Sequence, residues 1–338
     1  LRAAILSALF MMLATFVMHA PCRNSNYTES QFTSFCYSDT PVQFSATSLP
    51  TDIAPVPNAL MWLIQKIPGD FMLHTVLFQL LIISQALRLN VLLSQLKMFQ
   101  QISYLPAFVY LILTALFPYW DVISSGLVAN SLVIWILLKL LKLYDQNQPQ
   151  TIEFNIGLIV GVSILLYEPI AILIPVVLFA LTIIRPFKLT EWLVLLMGIV
   201  LPFYMLFAYE FLSQSNPNFR QYFPKLDWKN PLVQPEWNII SGLIIIGIQL
   251  IAGIFYWQQQ QTRFIIQVRK YWGVLLLVLI LTFFQPIIFS VQALYASAIV
   301  ITPMACFISF AYSTPKRLLV PNILFWASVG VIVYNHWA

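Results

Sequence analysis

Residues 103–142 read SYLPAFVYLILTALFPYWDVISSGLVANSLVIWILLKLLK, and this stretch decides the fold. Two apolar runs are separated by a short turn that contains Asp121, and the second run ends in Lys139 and Lys142. A helix needs about 20 apolar residues to cross the roughly 30 Å hydrocarbon core of a bilayer. The stretch therefore predicts two transmembrane helices, with an acidic turn on one side of the membrane and basic residues on the other.

The same pattern recurs along the chain and predicts an all-α, polytopic membrane protein with about eleven transmembrane helices. The composition agrees, because 60% of the residues are hydrophobic and only 9% are charged, whereas roughly 25% are charged in ordinary soluble domains. Residues 1–338 are interpreted as one transmembrane domain with three excursions: outer loops at 21–70 and 213–236 and an inner loop at 258–270. The predicted helices span residues 3–19, 71–89, 103–118, 122–141, 154–167, 169–185, 192–213, 237–256, 272–290, 292–311 and 318–336.

The charges sort onto alternating ends of these helices. With Arg2 placed in the cytoplasm, twelve of the seventeen Lys and Arg residues fall inside and nine of the twelve acids fall outside. The positive-inside rule then predicts a bacterial inner-membrane protein with its amino end inside and its carboxyl end outside. This topology and contact with anionic lipid account for the net charge of +5, so membrane lipid is expected as a partner and nucleic acid is not. The three acids left inside are Asp145, Glu153 and Glu191.

The outer loop at 21–70 is the first place to look for function, because long loops in compact proteins tend to be functional. It contains Cys22 and Cys36, which an oxidising compartment would allow to form a disulfide. Two free thiols are the alternative.

Two strings in this loop carry a family resemblance. Pro21-Cys22-Arg23, followed by Cys36-Tyr37-Ser38-Asp39, resembles the start of bacterial polyprenyl-phosphate-dependent glycosyltransferases of the GT-C type. The resemblance implies that Asp39 is the general base for an acceptor hydroxyl that attacks the anomeric carbon of a lipid-phosphate sugar. A positioned carboxylate near the headgroup plane suits that chemistry. The alternative is that Asp39, before Thr40-Pro41, is a turn residue whose side chain binds nearby backbone amides.

The related enzymes often carry an acid and a Tyr-Pro pair before their second helix, where this chain has Asp52 followed by Pro55 and Pro57. This departure from the pattern makes Asp52 a reserve candidate for the catalytic acid.

Residues 70–215 resemble an uncharacterised multi-pass inner-membrane family of Bacteroidota. The resemblance indicates lineage and implies no chemistry. It is carried by Ser103-Tyr104-Leu105-Pro106-Ala107, Leu116-Phe117-Pro118, Ala129-Asn130 and Arg185-Pro186-Phe187-Lys188-Leu189-Thr190-Glu191-Trp192.

Asp121 and Glu168 fall at the predicted outer ends of helices. Acidic residues within the membrane tend to be functional. Together with Asp39 these two acids could line one outer cavity and orient a sugar or bind a divalent metal, although no motif predicts a definite cofactor. Alternatively, each acid begins the next helix, where a carboxylate favours the positive end of the helix dipole.

The outer loop at 213–236 mixes basic and aromatic residues. Arg220, with Lys225, could bind the phosphate of a lipid-linked donor. Simple anchoring at the membrane interface explains the same residues.

Three functions fit these patterns. The first is a membrane glycosyltransferase that moves a sugar from a polyprenyl-phosphate donor to an acceptor at the outer face of the inner membrane. The second is a non-catalytic integral subunit of a larger inner-membrane complex, which would have fixed partner membrane proteins. The third is a transporter, which usually has broken helices or buried polar residues near the midplane. Gln285-Pro286 is the best candidate for such a break.

Overall fold

The computed structural model describes residues 71–99, 103–117, 120, 125–145, 149–213, 237–288, 297–315 and 319–337. This part of the chain is helical and contains no strand. Each of the ten helices predicted beyond residue 70 corresponds to one observed helix, and the predicted helix 3–19 lies outside the described residues. The helices are α1 (Phe71–Gln95), α2 (Leu105–Thr114), α3 (Ser125–Leu141), α4 (Pro149–Leu166), α5 (Leu173–Ile184), α6 (Leu189–Ser213), α7 (Trp237–Gln261), α8 (Ile266–Phe283), α9 (Ile301–Ser313) and α10 (Leu319–Trp337).

Short 3₁₀ segments extend three of these helices. Lys142–Asp145 follows α3, Glu168–Ile172 precedes α5, and Ser297–Val300 precedes α9. A further helical turn, Gln285–Ile288, follows α8 after Phe284, so Pro286 lies in the first turn of a short helical segment.

Six of the described helices are long and apolar enough to cross a membrane, and four apolar helices are shorter. The chain is therefore a membrane protein, but eleven full spans are not confirmed. Large apolar side chains cover the outside of α6, with Met197 68% and Leu212 85% exposed. A soluble monomer rarely presents so extended an apolar surface, whereas a bilayer solvates it.

The predicted inner loop at 258–270 is wrong in its extent. Helix α7 continues through Gln261 and α8 begins at Ile266, so only residues 262–265 lie between the two helices. The glutamine run from Gln258 to Gln261 falls in the predicted loop, but glutamine is a good helix former, and the run forms the last turn of α7.

Helix α9 lies at the centre of the bundle. Every residue from Ile301 to Ala311 is buried, and α9 packs against α2, α7, α8 and α10. A helix that is apolar all round suits such a position. The approach to α7 is close because Gly253 lies against the backbone of Phe307, where a Cβ atom would overlap the carbonyl oxygen.

Helices α4 and α6 form the most extensive helix pair in the described chain, and they run in the same direction. Gly157 lies against the carbonyl of Leu195, and a Cβ atom on Gly161 would lie 2.5 Å from the carbonyl oxygen of Ile199. From the other side, a Cβ atom on Gly198 would lie 2.5 Å from the Phe154 carbonyl oxygen. Small residues four apart allow such close backbone contact between membrane helices.

Helix α1 ends in a Schellman motif at Lys97, whose φ is +50°. The Lys97 N–H donates to the Ser94 carbonyl at 3.1 Å, and the Met98 N–H donates to the Leu93 carbonyl at 3.0 Å. Met98 is fully buried, as is typical of the apolar residue that follows this cap. The left-handed residue therefore stops α1 and turns the chain towards α2.

Candidate functional site

The bundle has two distinct faces, defined by where the helices end. On one face, Arg185 Nη1 donates to the Leu143 carbonyl at 3.3 Å, and Lys270 Nζ donates to the Ile184 carbonyl at 3.1 Å. On the opposite face, Asn335 Nδ2 donates to the Leu116 carbonyl at 2.9 Å. The first is called the basic face, because every Lys and Arg in the described ranges lies in the half of the bundle towards it: Arg88, Lys97, Lys139, Lys142, Arg185, Lys188, Arg263, Arg269 and Lys270.

Glu168 lies on the opposite face, at the turn between α4 and α5. Tyr167 is extended and buried, Pro169 occupies the first turn of the 3₁₀ segment, and Glu168 is half-buried between them. Among the acids whose side chains are described, Glu168 is the one on this face. Glu168 therefore lies at the surface where the sequence predicts a site.

The other predicted site residues cannot be assigned positions relative to Glu168, because they lie outside the described residues. The set comprises the catalytic candidates Asp39 and Asp52, the substrate-binding candidates Asp121, Arg220 and Lys225, and the disulfide candidates Cys22 and Cys36.

A chain of buried side chains crosses the interior between four helices. Tyr110 of α2 donates its hydroxyl hydrogen to Gln85 Oε1 of α1 at 2.6 Å. Asn130 Nδ2 of α3 donates to the Tyr110 hydroxyl at 2.9 Å, and the Thr302 hydroxyl of α9 donates to Asn130 Oδ1 at 2.7 Å. All four side chains are fully buried. Buried polar groups in a bilayer need internal partners, and this chain supplies them.

The remaining amide hydrogens of Gln85 also have acceptors. Gln85 Nε2 donates to the Leu127 carbonyl at 2.7 Å and to the Ser131 hydroxyl at 2.6 Å. Because each polar side chain in this hydrogen-bonded network has a partner, the network stabilises the helix arrangement. It offers no free polar group to a transported solute.

A charged cluster lies on the basic face where α4 and α6 begin. Arg185 Nε lies 3.5 Å from Glu191 Oε2 in an ion pair. Glu153, in the second turn of α4, is fully buried, and neither of its carboxylate oxygens has a hydrogen-bond partner. The charges that act on Glu153 are those of Glu191, Arg185 and Lys188. Two buried carboxylates thus share one guanidinium, which is an unusual arrangement because a buried charge normally has its own partner.

This cluster is not among the sites predicted from the sequence, although three signals are present. Glu153 and Glu191 are two of only three acids on the predicted inner side, and acids are a minority there. Arg185 and Glu191 both occur in the string that resembles a Bacteroidota family, where they were interpreted as marks of lineage. The spacing Gly157-Leu158-Ile159-Val160-Gly161 was also available and indicates close packing of membrane helices.

No group of three or more His, Cys, Asp or Glu side chains that could hold a metal ion occurs among the described residues. The three acids with described side chains are divided between the faces, with Glu153 and Glu191 on one and Glu168 on the other. The predicted divalent metal would therefore need ligands from outside the described residues.

Comparison with known proteins gives one family. A family described as "Family of unknown function (DUF6427)" matches residues 57–336, which is most of the chain. No curated protein and no solved structure matches the chain.

Proposed function

We propose that this chain, which belongs to the DUF6427 family, is a membrane glycosyltransferase. It moves a sugar from a polyprenyl-phosphate donor to an acceptor at the face opposite the basic face. The observation that carries the proposal is the position of Glu168. A half-buried acidic residue lies on the opposite face, at the turn between two apolar helices. On the proposal, the reacting carbon of the lipid-linked donor lies beside this residue.

The position where α1 begins also supports a catalytic site on the opposite face. Helix α1 begins at Phe71 on the opposite face, because α1 and α2 pack antiparallel and α2 ends there at Thr114. The predicted outer loop at 21–70, with Asp39 and Asp52, leads directly into this helix. On the proposal, Asp39 removes the proton from the acceptor hydroxyl while Glu168 orients the sugar.

The phosphate of the donor would need cationic partners on the same face. Arg220 and Lys225 follow α6, which ends on the opposite face at Ser213. A guanidinium can bind two phosphate oxygens at once, which makes Arg220 the stronger candidate. A divalent metal could assist there, with ligands outside the described residues.

The first test is sugar transfer by full-length protein in native lipid. Radiolabelled polyprenyl-phosphate mannose, glucose and arabinose are supplied, and label in extracted lipid is counted. We expect transfer from one donor, a loss on the order of 100-fold or more in Asp39→Asn, as expected for removal of a general base, and a smaller loss, about tenfold, in Glu168→Gln. Asp145→Asn, on the basic face, makes the same chemical change as a control and retains transfer.

The outcomes separate an enzyme from a subunit. Equal transfer by wild type and Asp39→Asn would remove Asp39 from the mechanism. Absence of transfer from every donor, with another membrane protein copurifying at fixed stoichiometry, would overturn the proposal in favour of the integral-subunit function.

The basic face also supports a location for the protein. Lys and Arg concentrate on the cytoplasmic side of bacterial membrane proteins, so we place the basic face in the cytoplasm of a bacterial inner membrane. The amino end would then be inside and the carboxyl end outside, as the sequence predicts.

Cysteine labelling tests this orientation. With Cys22, Cys36 and Cys306 changed to Ser, we expect Ser213→Cys to react with a membrane-impermeant maleimide in intact spheroplasts. Lys142→Cys should react only after the membrane is opened. The reverse pattern would invert the topology and place Glu168 in the cytoplasm.

A further inference from the structure

The excess carboxylate on the basic face has no function in the proposed transfer reaction, which is placed on the other side of the bundle. Glu153 is fully buried, no donor group hydrogen-bonds to either of its oxygens, and the side chain close enough to share a hydrogen bond with it is the carboxyl group of Glu191. Leaving a buried carboxylate ionised without a partner costs several kcal/mol. A group in this position is stable when a positive charge binds to it.

The packing of α4 and α6 fixes where Glu153 points. Gly157 lies against Leu195 and Gly161 lies against Ile199, an offset of 38 residues in both pairs. The same offset takes Glu153 to Glu191. The two glutamates therefore lie at one level of a parallel helix pair, one turn before the close backbone contact at Gly157.

The neighbouring charges do not neutralise this pair. Arg185 is the ion-pair partner of Glu191, at 3.5 Å, and it also donates to the Leu143 carbonyl at 3.3 Å. Lys188 acts on Glu153 as well, but its side chain is exposed and its charge is screened by solvent. Two buried carboxylates and one partly buried guanidinium leave one negative charge without a buried partner.

Charged groups on the other elements packed against α4 do not lie within this pair. Helix α3 and the turn after it contribute Lys139, which is half-buried, Lys142, which is exposed, and Asp145, whose side chain lies outside the described part of the structure. The 3₁₀ segment before α5 contributes Glu168, at the far end of α4. The charges acting directly on Glu153 are thus those of Glu191, Arg185 and Lys188.

We propose that Glu153 and Glu191, with Arg185 beside them, form a binding site for one monovalent cation on the basic face. A proton and an alkali-metal ion share the required chemistry, which is a single positive charge small enough to lie between two carboxyl groups. Binding neutralises the pair and holds the beginnings of α4 and α6 together. Loss of the cation leaves two like charges facing each other across the most extensive helix pair in the described chain.

Infrared difference spectroscopy on the full-length protein in detergent tests this site. One arm changes pH in choline chloride, and the other replaces choline with Na⁺ or K⁺ at constant pH. In wild type we expect one of two signals. The first is a protonated-carboxyl band whose intensity changes with pH and not with Na⁺ or K⁺, and the second is a shift of the carboxylate band that occurs only with an alkali ion. The first result identifies the proton, and the second identifies the metal ion.

Glu153→Gln keeps the shape of the side chain and removes its charge, so this signal should disappear. Glu191→Gln should remove it too, because the cation is shared, and this variant serves if the first does not fold. Glu168→Gln, which removes a carboxylate on the opposite face, should leave it unchanged. The proposal would be overturned if a folded variant of Glu153 or of Glu191 gave the same difference spectra as wild type in both the pH arm and the alkali-ion arm. The assay uses no sugar, so its failure is distinct from failure of the transferase proposal.

Discussion

Tyr110→Phe is expected to lower the free energy of unfolding by about 1–3 kcal/mol, although it removes a single oxygen atom from the protein. The Tyr110 hydroxyl donates to Gln85 and accepts from Asn130. Its loss leaves a carbonyl oxygen and an amide hydrogen without these partners in the fully buried interior. Interhelical hydrogen bonds in membranes average about 0.6 kcal/mol and reach about 1.7, and an unpaired buried group adds its own desolvation cost.

Unfolding in mixed micelles of increasing SDS content measures this loss. Tyr204→Phe is the matched control, because Tyr204 on α6 is 61% exposed and faces lipid, and its free energy of unfolding should stay within about 0.5 kcal/mol of wild type. If Tyr110→Phe is as stable as Tyr204→Phe, the chain of hydrogen bonds does not stabilise the helix arrangement. A double mutant with Thr302→Val would then show no coupling.

Gly157→Ala is expected to be the other large effect, a loss of about 1–3 kcal/mol from overpacking. The added methyl group would overlap the Leu195 carbonyl oxygen, which is backbone and cannot rotate away. Helices α4 and α6 must separate to make room, and their contacts beyond the glycine weaken as well. The same micelle unfolding series measures the change.

Gly247→Ala provides the control within the same protein. Nothing lies within 4 Å of the position that its Cβ atom would occupy, and Ala is favoured over Gly inside a helix by about 0.5–1 kcal/mol. The two substitutions are chemically identical and should have opposite signs. A stabilising Gly157→Ala would mean that the α4–α6 contact is looser than the structure has it.

The helices beyond residue 70 could be predicted because a bilayer allows few backbone structures. A run of apolar residues bounded by charge or proline must be a helix there, since the backbone has no water to bind. The ends of helices were less predictable. Pro149 was assigned to a loop although proline suits the first turn of a helix, and Gln258 was assigned to a loop for its polarity alone.

The interior and the sites were harder to predict, because both depend on which helices meet. Asn130 and Thr302 are 172 residues apart and form one hydrogen bond, which the periodicity of either helix cannot reveal. Glu153 and Glu191 meet because α4 and α6 run parallel, with α5 crossing back between them in sequence. The predicted catalytic residue Asp39 came from a family resemblance and lies outside the described residues, so its role stays a prediction.

The bond between Asn130 and Thr302 also has a consequence for biosynthesis. At about 5–20 residues per second, the ribosome needs roughly 10–30 s to add the 172 residues that separate them. During that interval Asn130 has already entered the membrane, and its Oδ1 lacks the hydrogen bond that the Thr302 hydroxyl of α9 later donates. The early helices must therefore adopt a provisional arrangement, stabilised by the insertion machinery or by contacts with each other. The final arrangement forms only when the central helix α9 has been inserted.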